Sequence, residues 1–180
     1  LDDGAILSTG TRPEKDTYRV VFTPGEPTIA GLELTALSDA ALPQRGPGRQ
    51  DNGNLHLSEV VLWKVRGEQA EKLPFAAAVA DFNQVGWTID RALDGNAATA
   101  WGIYPRVGEQ HRAVFRLTTP VTLQPDESLR VELQQLHGGG HLIGKFRLAT
   151  TAQPEPAAIP AVTMSASVQR AITMPATGWR

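Results

Sequence analysis

The sequence predicts an all-β domain, an antiparallel β-sandwich of jelly-roll type with little helix before residue 155. Three observations carry that expectation. Apolar residues recur at every second position in several short runs, as with Leu129, Val131 and Leu133, the spacing of a strand with one buried face. Seventeen Gly and thirteen Pro are scattered between those runs, the punctuation of a chain with many turns. The 180 residues are 41% apolar and 20% charged, enough to build one real core.

Taken in order, Leu1 to Ser8 reads as a short strand after an Asp-Asp-Gly turn, and Thr9 to Lys15 as a polar loop. Tyr18–Thr23 is β-rich and closes at Pro24-Gly25. Ile29–Leu37 follows, with Leu32 and Leu34 on one face. Residues 38–54 form a long loop, a length that points to function or mobility. Leu55–Val65 is the strongest strand, with Leu55, Leu57, Val61, Trp63 and Val65 apolar. Phe75–Phe82 fits either strand or helix and is read as extended, and Trp87–Ile89 leads into a polar loop. His111–Leu117 alternates, Pro120–Leu123 begins another edge, and Ser128–Leu136 alternates again. His141–Thr150 is the last core strand, after Gly138-Gly139-Gly140. From Gln153 the composition turns to Pro, Ala and small residues. The domain is therefore expected to span 1–152. Residues 153–180 make a linker and terminal segment, with a short helix expected over 165–174.

Composition excludes several classes. Net charge is −2, so no basic footprint marks nucleic acid or an anionic membrane as a partner. Cysteine is absent, which removes disulfides, thiolate metal sites and cysteine nucleophiles. No run has the length of a transmembrane helix. A first residue of Leu rather than Met suggests a processed segment of a longer, exported chain. No G-x-S-x-G elbow, Gly-rich phosphate loop or H-E-x-x-H motif occurs, and the domain is expected not to be an enzyme.

The stretch Ile89–Trp101 concentrates chemistry. Asp94, Asn96 and Thr99 place three oxygen-bearing side chains within six residues, around Gly95. Hard cations such as Ca²⁺ take six to eight oxygens, often from loops that fold back on themselves. Asp-Gly-Asn is also ordinary turn chemistry, and spacing alone leaves both readings open.

Ala92-Leu-Asp-Gly-Asn-x-x-Thr-x-Trp101 resembles the motif of galactose-binding-like β-sandwiches: discoidin and coagulation-factor C-type domains, and family 32 carbohydrate-binding modules. The resemblance implies a structural Ca²⁺ held by the Arg91 carbonyl and the side chains of Asp94, Asn96 and Thr99, with Trp101 packed beneath. In those families a Ser-Glu or Ala-Glu pair near the C-terminus completes the shell. Here the matching pair, Ser58-Glu59, precedes the loop, which implies a permuted strand order.

His137-Gly-Gly-Gly-His141 has a spacing that chelates zinc on a helix. Three glycines disfavour a helix, no third ligand is evident, and a tight turn is the simpler reading. His56 and His111 lie in alternating strands and read as surface or core residues. Sugar rings are held by aromatic faces and planar polar groups. Loop residues of those types are Trp87, Tyr104, Arg106, His111, Arg45, Arg49, Asn52 and Asn54, whereas Trp63 and Trp101 belong to the expected core.

A second resemblance covers most of the chain. Leu42-Pro-x-x-Gly-Pro-Gly-Arg49, Asn52-Gly-Asn54, Leu57-Ser-Glu-Val60, Ala80-Asp-Phe82 and Gly144-Lys-Phe-Arg-Leu148 resemble a block of large planctomycete-type proteins that carry a cytochrome-c-like module. That resemblance implies a modular exported protein. The expected function is a non-catalytic carbohydrate-binding module with a structural Ca²⁺, partnered by a polysaccharide or glycan and by other domains of its parent. The alternative is a protein–protein or scaffold domain in a cell-surface assembly.

Overall fold

The computed structural model describes residues 1 and 3–152. The linker and helix expected over 153–180 lie outside the described residues. Two antiparallel sheets dominate. One has the order β1 (Ile6–Leu7), β11 (Lys145–Thr151), β3 (Thr28–Ala36), β9 (His111–Thr122) and β7 (Phe75–Ala80). The other has the order β2 (Asp16–Phe22), β10 (Ser128–Gln135), β5 (Glu59–Arg66) and β6 (Gln69–Leu73). A two-stranded ribbon pairs β4 (His56–Leu57) with β8 (Trp101–Gly102). No helix among the described residues is long and apolar enough to cross a membrane.

Both sheets feed one core. Leu32, Leu34, Phe115 and Phe146 come from the first, and Val60, Leu62, Leu129, Val131 and Leu133 from the second. The period-two pattern explains the assignment most cleanly in β10, where Leu129, Val131 and Leu133 are buried and their neighbours half-buried. A face that alternates this way can bury apolar area only as a strand. The result is an all-β fold with antiparallel sheets, an arrangement compatible with a β-sandwich.

Three elements depart from expectation. Leu55–Val65 is not one strand but breaks at Ser58 into β4 and β5. The Ser58 amide donates to the Gln134 carbonyl and its Oγ accepts from the Leu136 amide, so β5 stays on β10 while β4 turns to β8. Pro120 starts no new edge: β9 runs on to Thr122, and Pro120 sits where its pairing with β3 skips between Arg116 and Val121. A proline, having no amide donor, is tolerated in such an irregularity. The last strand begins at Lys145 rather than His141. β6 had no apolar alternation to announce it, since only Leu73 is buried. It forms as the second arm of a hairpin across Gly67-Glu68, with Gly67 at φ 54°, the glycine turn that short hairpins favour.

Candidate functional site

Two clusters of polar side chains lie at loops around the β4–β8 ribbon and the start of β5. The first surrounds residues 91–99. Ile89–Ala92 makes a 3-10 turn, and Gly95 follows at φ 74°. The Asp94 carboxylate then accepts from the Asn96 amide at 2.9 Å and from the Thr99 hydroxyl at 2.9 and 2.7 Å, while Asn96 Oδ1 accepts from the Ala98 amide. The loop is thus closed by its own side chains.

Glu59, first residue of β5, faces this loop. The amides of Gly95 and Asn96 lie against its carboxylate, and the like charge of Asp94 acts on it. Burial, with the Asp94 charge adding to it, holds the Glu59 carboxyl above its usual range despite those amides. Its Oε1 is buried with no hydrogen-bond partner. Strand and loop therefore come together although Glu59 and Asp94 are 35 residues apart in the sequence. Ser58 is fully buried, and its Oγ and amide are spent on β10 and the chain just after it.

The sugar-facing candidates disperse. His111 is fully buried, bonded to the Arg106 carbonyl and to Asp81, and serves the fold. Arg106 is paired twice with Glu109 and lies over the Phe82 ring. Arg49 holds Ser8 Oγ and the Gly10 carbonyl. Arg45 and Asn52 are exposed, and Asn52 Oδ1 caps the Asn54 amide. Trp101 is core, as expected, with its indole N–H on the Phe82 carbonyl. Trp63 is half-buried under Arg130. Trp87 and Tyr104 stay at one edge, tied together by Gln84. Its backbone bridges Trp87 and its Oε1 accepts from the Tyr104 amide at 3.1 Å.

The second cluster is built on the ribbon. His56 lies in β4, and its imidazole is sandwiched between two rings. Trp87 stacks on it at 4.3 Å and 2°, and His141 at 4.1 Å and 13°. His137 stands edge-on at 4.7 Å and 88°, with its Nδ1 3.2 Å from Nδ1 of His56. The three histidines each offer a ring nitrogen within 4.8 Å of the others. The glycines between His137 and His141 make this possible. All three have positive φ (105°, 66° and 65°), a path closed to most side chains, and the turn folds both histidines back over β4. The His56 amide donates to the His141 carbonyl at 2.8 Å, and Glu14 receives the Gly139 and Gly140 amides.

Hydrogen bonds assign the ring protons. Asn54 Oδ1 accepts from the Ile103 amide, so its Nδ2 faces Gln84 Oε1 at 3.0 Å and His56 Nε2 at 3.3 Å. His56 therefore accepts at Nε2 and donates from Nδ1 to His137. His141 donates from Nδ1 to the Gly138 carbonyl at 3.2 Å, leaving Nε2 as its lone pair. Burial, then the neighbouring His141 and His137, push His56 down to about 3, and burial also lowers His137. Neutral imidazoles at ordinary pH are the form that ligates metals.

The third nitrogen was the feature the sequence concealed. The His-x₃-His spacing suits chelation on a helix, yet the glycine turn brings the two rings together as well. His56 lies 81 residues away, and only the pairing of β4 with β8 and with the His141 carbonyl brings it there. The chain matches no family model, no curated protein and no solved structure.

Proposed function

We propose that this domain is a non-catalytic carbohydrate-binding module of a larger exported protein, with a galactose-binding-like jelly roll as its fold. One observation carries the reading: Tyr104 is 50% exposed at the same edge as Trp87, and Gln84 holds both. Aromatic faces fixed before the ligand arrives stack on the C–H face of a sugar at little entropic cost. Planar polar groups at that edge, Gln84 and the His137 ring, supply hydrogen bonds for hydroxyls.

A structural Ca²⁺ on the 91–99 loop belongs to the same reading. The fit rests on Glu59 Oε1, buried without a partner beside the Asp94 carboxylate. Two carboxylates so placed repel one another, and a hard cation between them relieves both. Glu59, Asp94, Asn96 and the Arg91 and Ser58 carbonyls would hold it, with Thr99 turning its hydroxyl from Asp94. The ion would brace the loop and touch no sugar.

The alternative, a protein–protein or scaffold domain, is favoured by one feature. An apolar groove between the sheets' edges is lined by Ile6, Tyr18, Val21 and Phe146, with Ile6 and Val21 exposed. A glycan array probed with wild type, Tyr104→Ala and a chelator-treated sample decides between them. Glycan binding lost in Tyr104→Ala supports the module. Wild type silent across the array, with chelator and with Ca²⁺, overturns it.

A further inference from the structure

We infer that His56, His137 and His141 form a binding site for one divalent transition-metal ion of the Zn²⁺ class, separate from the 91–99 loop; it shares His137 and Trp87 with the edge assigned to glycan but does not rest on that reading. The donors are all nitrogen, and imidazole suits Zn²⁺, Cu²⁺ and Ni²⁺, whereas Ca²⁺ and Mg²⁺ require oxygen.

Two of the donors already have the spacing that one ion requires. Zn–N bonds of about 2.0–2.1 Å put two nitrogens of a tetrahedral ion about 3.3–3.4 Å apart. The Nδ1 atoms of His56 and His137 are 3.2 Å apart, on rings at 88° to one another. An ion held by both would sit about 1.3 Å off the line between them, so loading displaces the proton that His56 donates to His137 and tilts both rings toward the ion. His141 is the third donor. Its ring is parallel to His56, so its lone pair reaches the same ion only when the side chain turns out of the stack. One of its ring nitrogens lies within 4.8 Å of a ring nitrogen of each of the others, so rotation of the side chain would bring it to the same ion. His137 is exposed, and the fourth position faces solvent, which leaves room for water or another small ligand.

The surroundings tune the site. Trp87 fixes the His56 ring from the far face. Gly102 lies beneath, where an added Cβ would come 2.7 Å from Gln84 Oε1, 3.2 Å from His56 Cδ2 and 3.3 Å from Trp87 Cβ. Only a residue without a side chain leaves those three where they are. Asn54 opposes loading. Metal on Nδ1 moves the His56 proton, through solvent, to Nε2, where the Asn54 amide is a donor rather than an acceptor. Carboxylate or carbonyl partners strengthen metal-bound histidines, and an amide N–H does the reverse. The affinity is therefore moderate, and the site loads and unloads.

The chain suits a direct test. It has four histidines and no cysteine, and the fourth histidine, His111, is fully buried and bonded to Arg106 and Asp81. The full chain, made without a histidine tag and stripped with chelator, is titrated with Zn²⁺ by calorimetry and with Cu²⁺ by tryptophan quenching. One Zn²⁺ per chain is expected, unaffected by excess Ca²⁺ or Mg²⁺. His137→Ala, at an exposed position that leaves the fold intact, is expected to weaken it by well over about tenfold, the loss that even an outer partner of a metal-bound histidine causes. His141→Ala weakens it too. Cu²⁺ quenches the Trp87 emission, and the quenched fraction disappears in Trp87→Phe. Zn²⁺ bound equally by wild type and by the His137→Ala, His141→Ala double variant overturns the proposal. So does wild type that binds no Zn²⁺ while its circular dichroism shows it folded.

Discussion

The indole of Trp87 lies flat on the imidazole of His56, with ring centroids 4.3 Å apart and planes 2° from parallel. His56 itself is 6% exposed, so the indole is what separates that ring from solvent on one side. The contact joins β4 to the loop that precedes the 3-10 turn, two segments also linked through Gly102, Gln84 and the His137 ring. Trp87→Ala removes the stack and opens the ring to water. It is expected to cost about 1–3 kcal/mol, since aromatic pairs add about 0.5–1.5 kcal/mol beyond the area they bury. Urea denaturation measures it. An unchanged midpoint would show that the stack contributes nothing to the fold.

Gly102→Ala tests the floor of the same cluster. The new Cβ would meet Gln84 Oε1 at 2.7 Å, and that oxygen is held by Asn54 and by the Tyr104 amide. Gln84 must give up one of those bonds or the ribbon must shift. A loss of about 1–3 kcal/mol is expected, the usual range for inserting a methyl group into a packed site. Calorimetric melting of wild type and variant checks it, and equal melting temperatures would place the ribbon among the parts that yield freely.

Glu59→Gln separates the two readings of the 91–99 loop. The side chain keeps its shape and one acceptor oxygen for the Gly95 and Asn96 amides but loses the charge that opposes Asp94. In chelator the variant is expected to be as stable as wild type or slightly more so. Added Ca²⁺ is expected to raise the wild-type melting temperature by linkage, RT ln(1 + [L]/Kd), about 2.7 kcal/mol at a hundredfold excess over Kd. The variant gains much less. If Ca²⁺ shifts neither protein, the loop is a self-closed turn and the paired carboxylates hold no ion.

The fold was legible where burial is one-sided. β10 could be read residue by residue because Leu129, Val131 and Leu133 face the core and Arg130, Glu132 and Gln134 do not. β6 was not legible, because an edge strand that buries only Leu73 has no pattern to show. Ser58 looked like one more residue of an alternating run. Its part in breaking the strand depends on Gln134 and Leu136, more than seventy residues on. The same holds for the sites. Asp94, Asn96 and Thr99 interact within one loop, so local spacing reveals them. The histidine cluster spans 85 positions from His56 to His141. Its third member is set by strand pairing, which single-sequence periodicity does not encode.

Glu33 predicts how the fold meets acid. It lies in β3 opposite β9, and Arg112 Nη2 donates to its Oε2 at 2.5 Å. That bond, opposed in part by burial, holds the Glu33 carboxyl below its ordinary value of 4.5. A carboxyl with a lowered folded-state value binds its proton less readily folded than unfolded. Its contribution is therefore complete above pH 4.5 and is lost as pH falls through the lower folded-state value. Glu33→Gln keeps the shape and cannot ionise. It is expected to cost about 0.5–1 kcal/mol at pH 7, because the pair is partly exposed and screened. The difference should shrink as pH drops below 4.5, so the two stability curves converge in acid. Urea midpoints at pH 7, 5, 4 and 3 give the comparison. A gap that stays constant over that range would mean that packing, not the charge on Glu33, accounts for the loss. A gap that widens would mean that the folded state raises the carboxyl rather than lowers it.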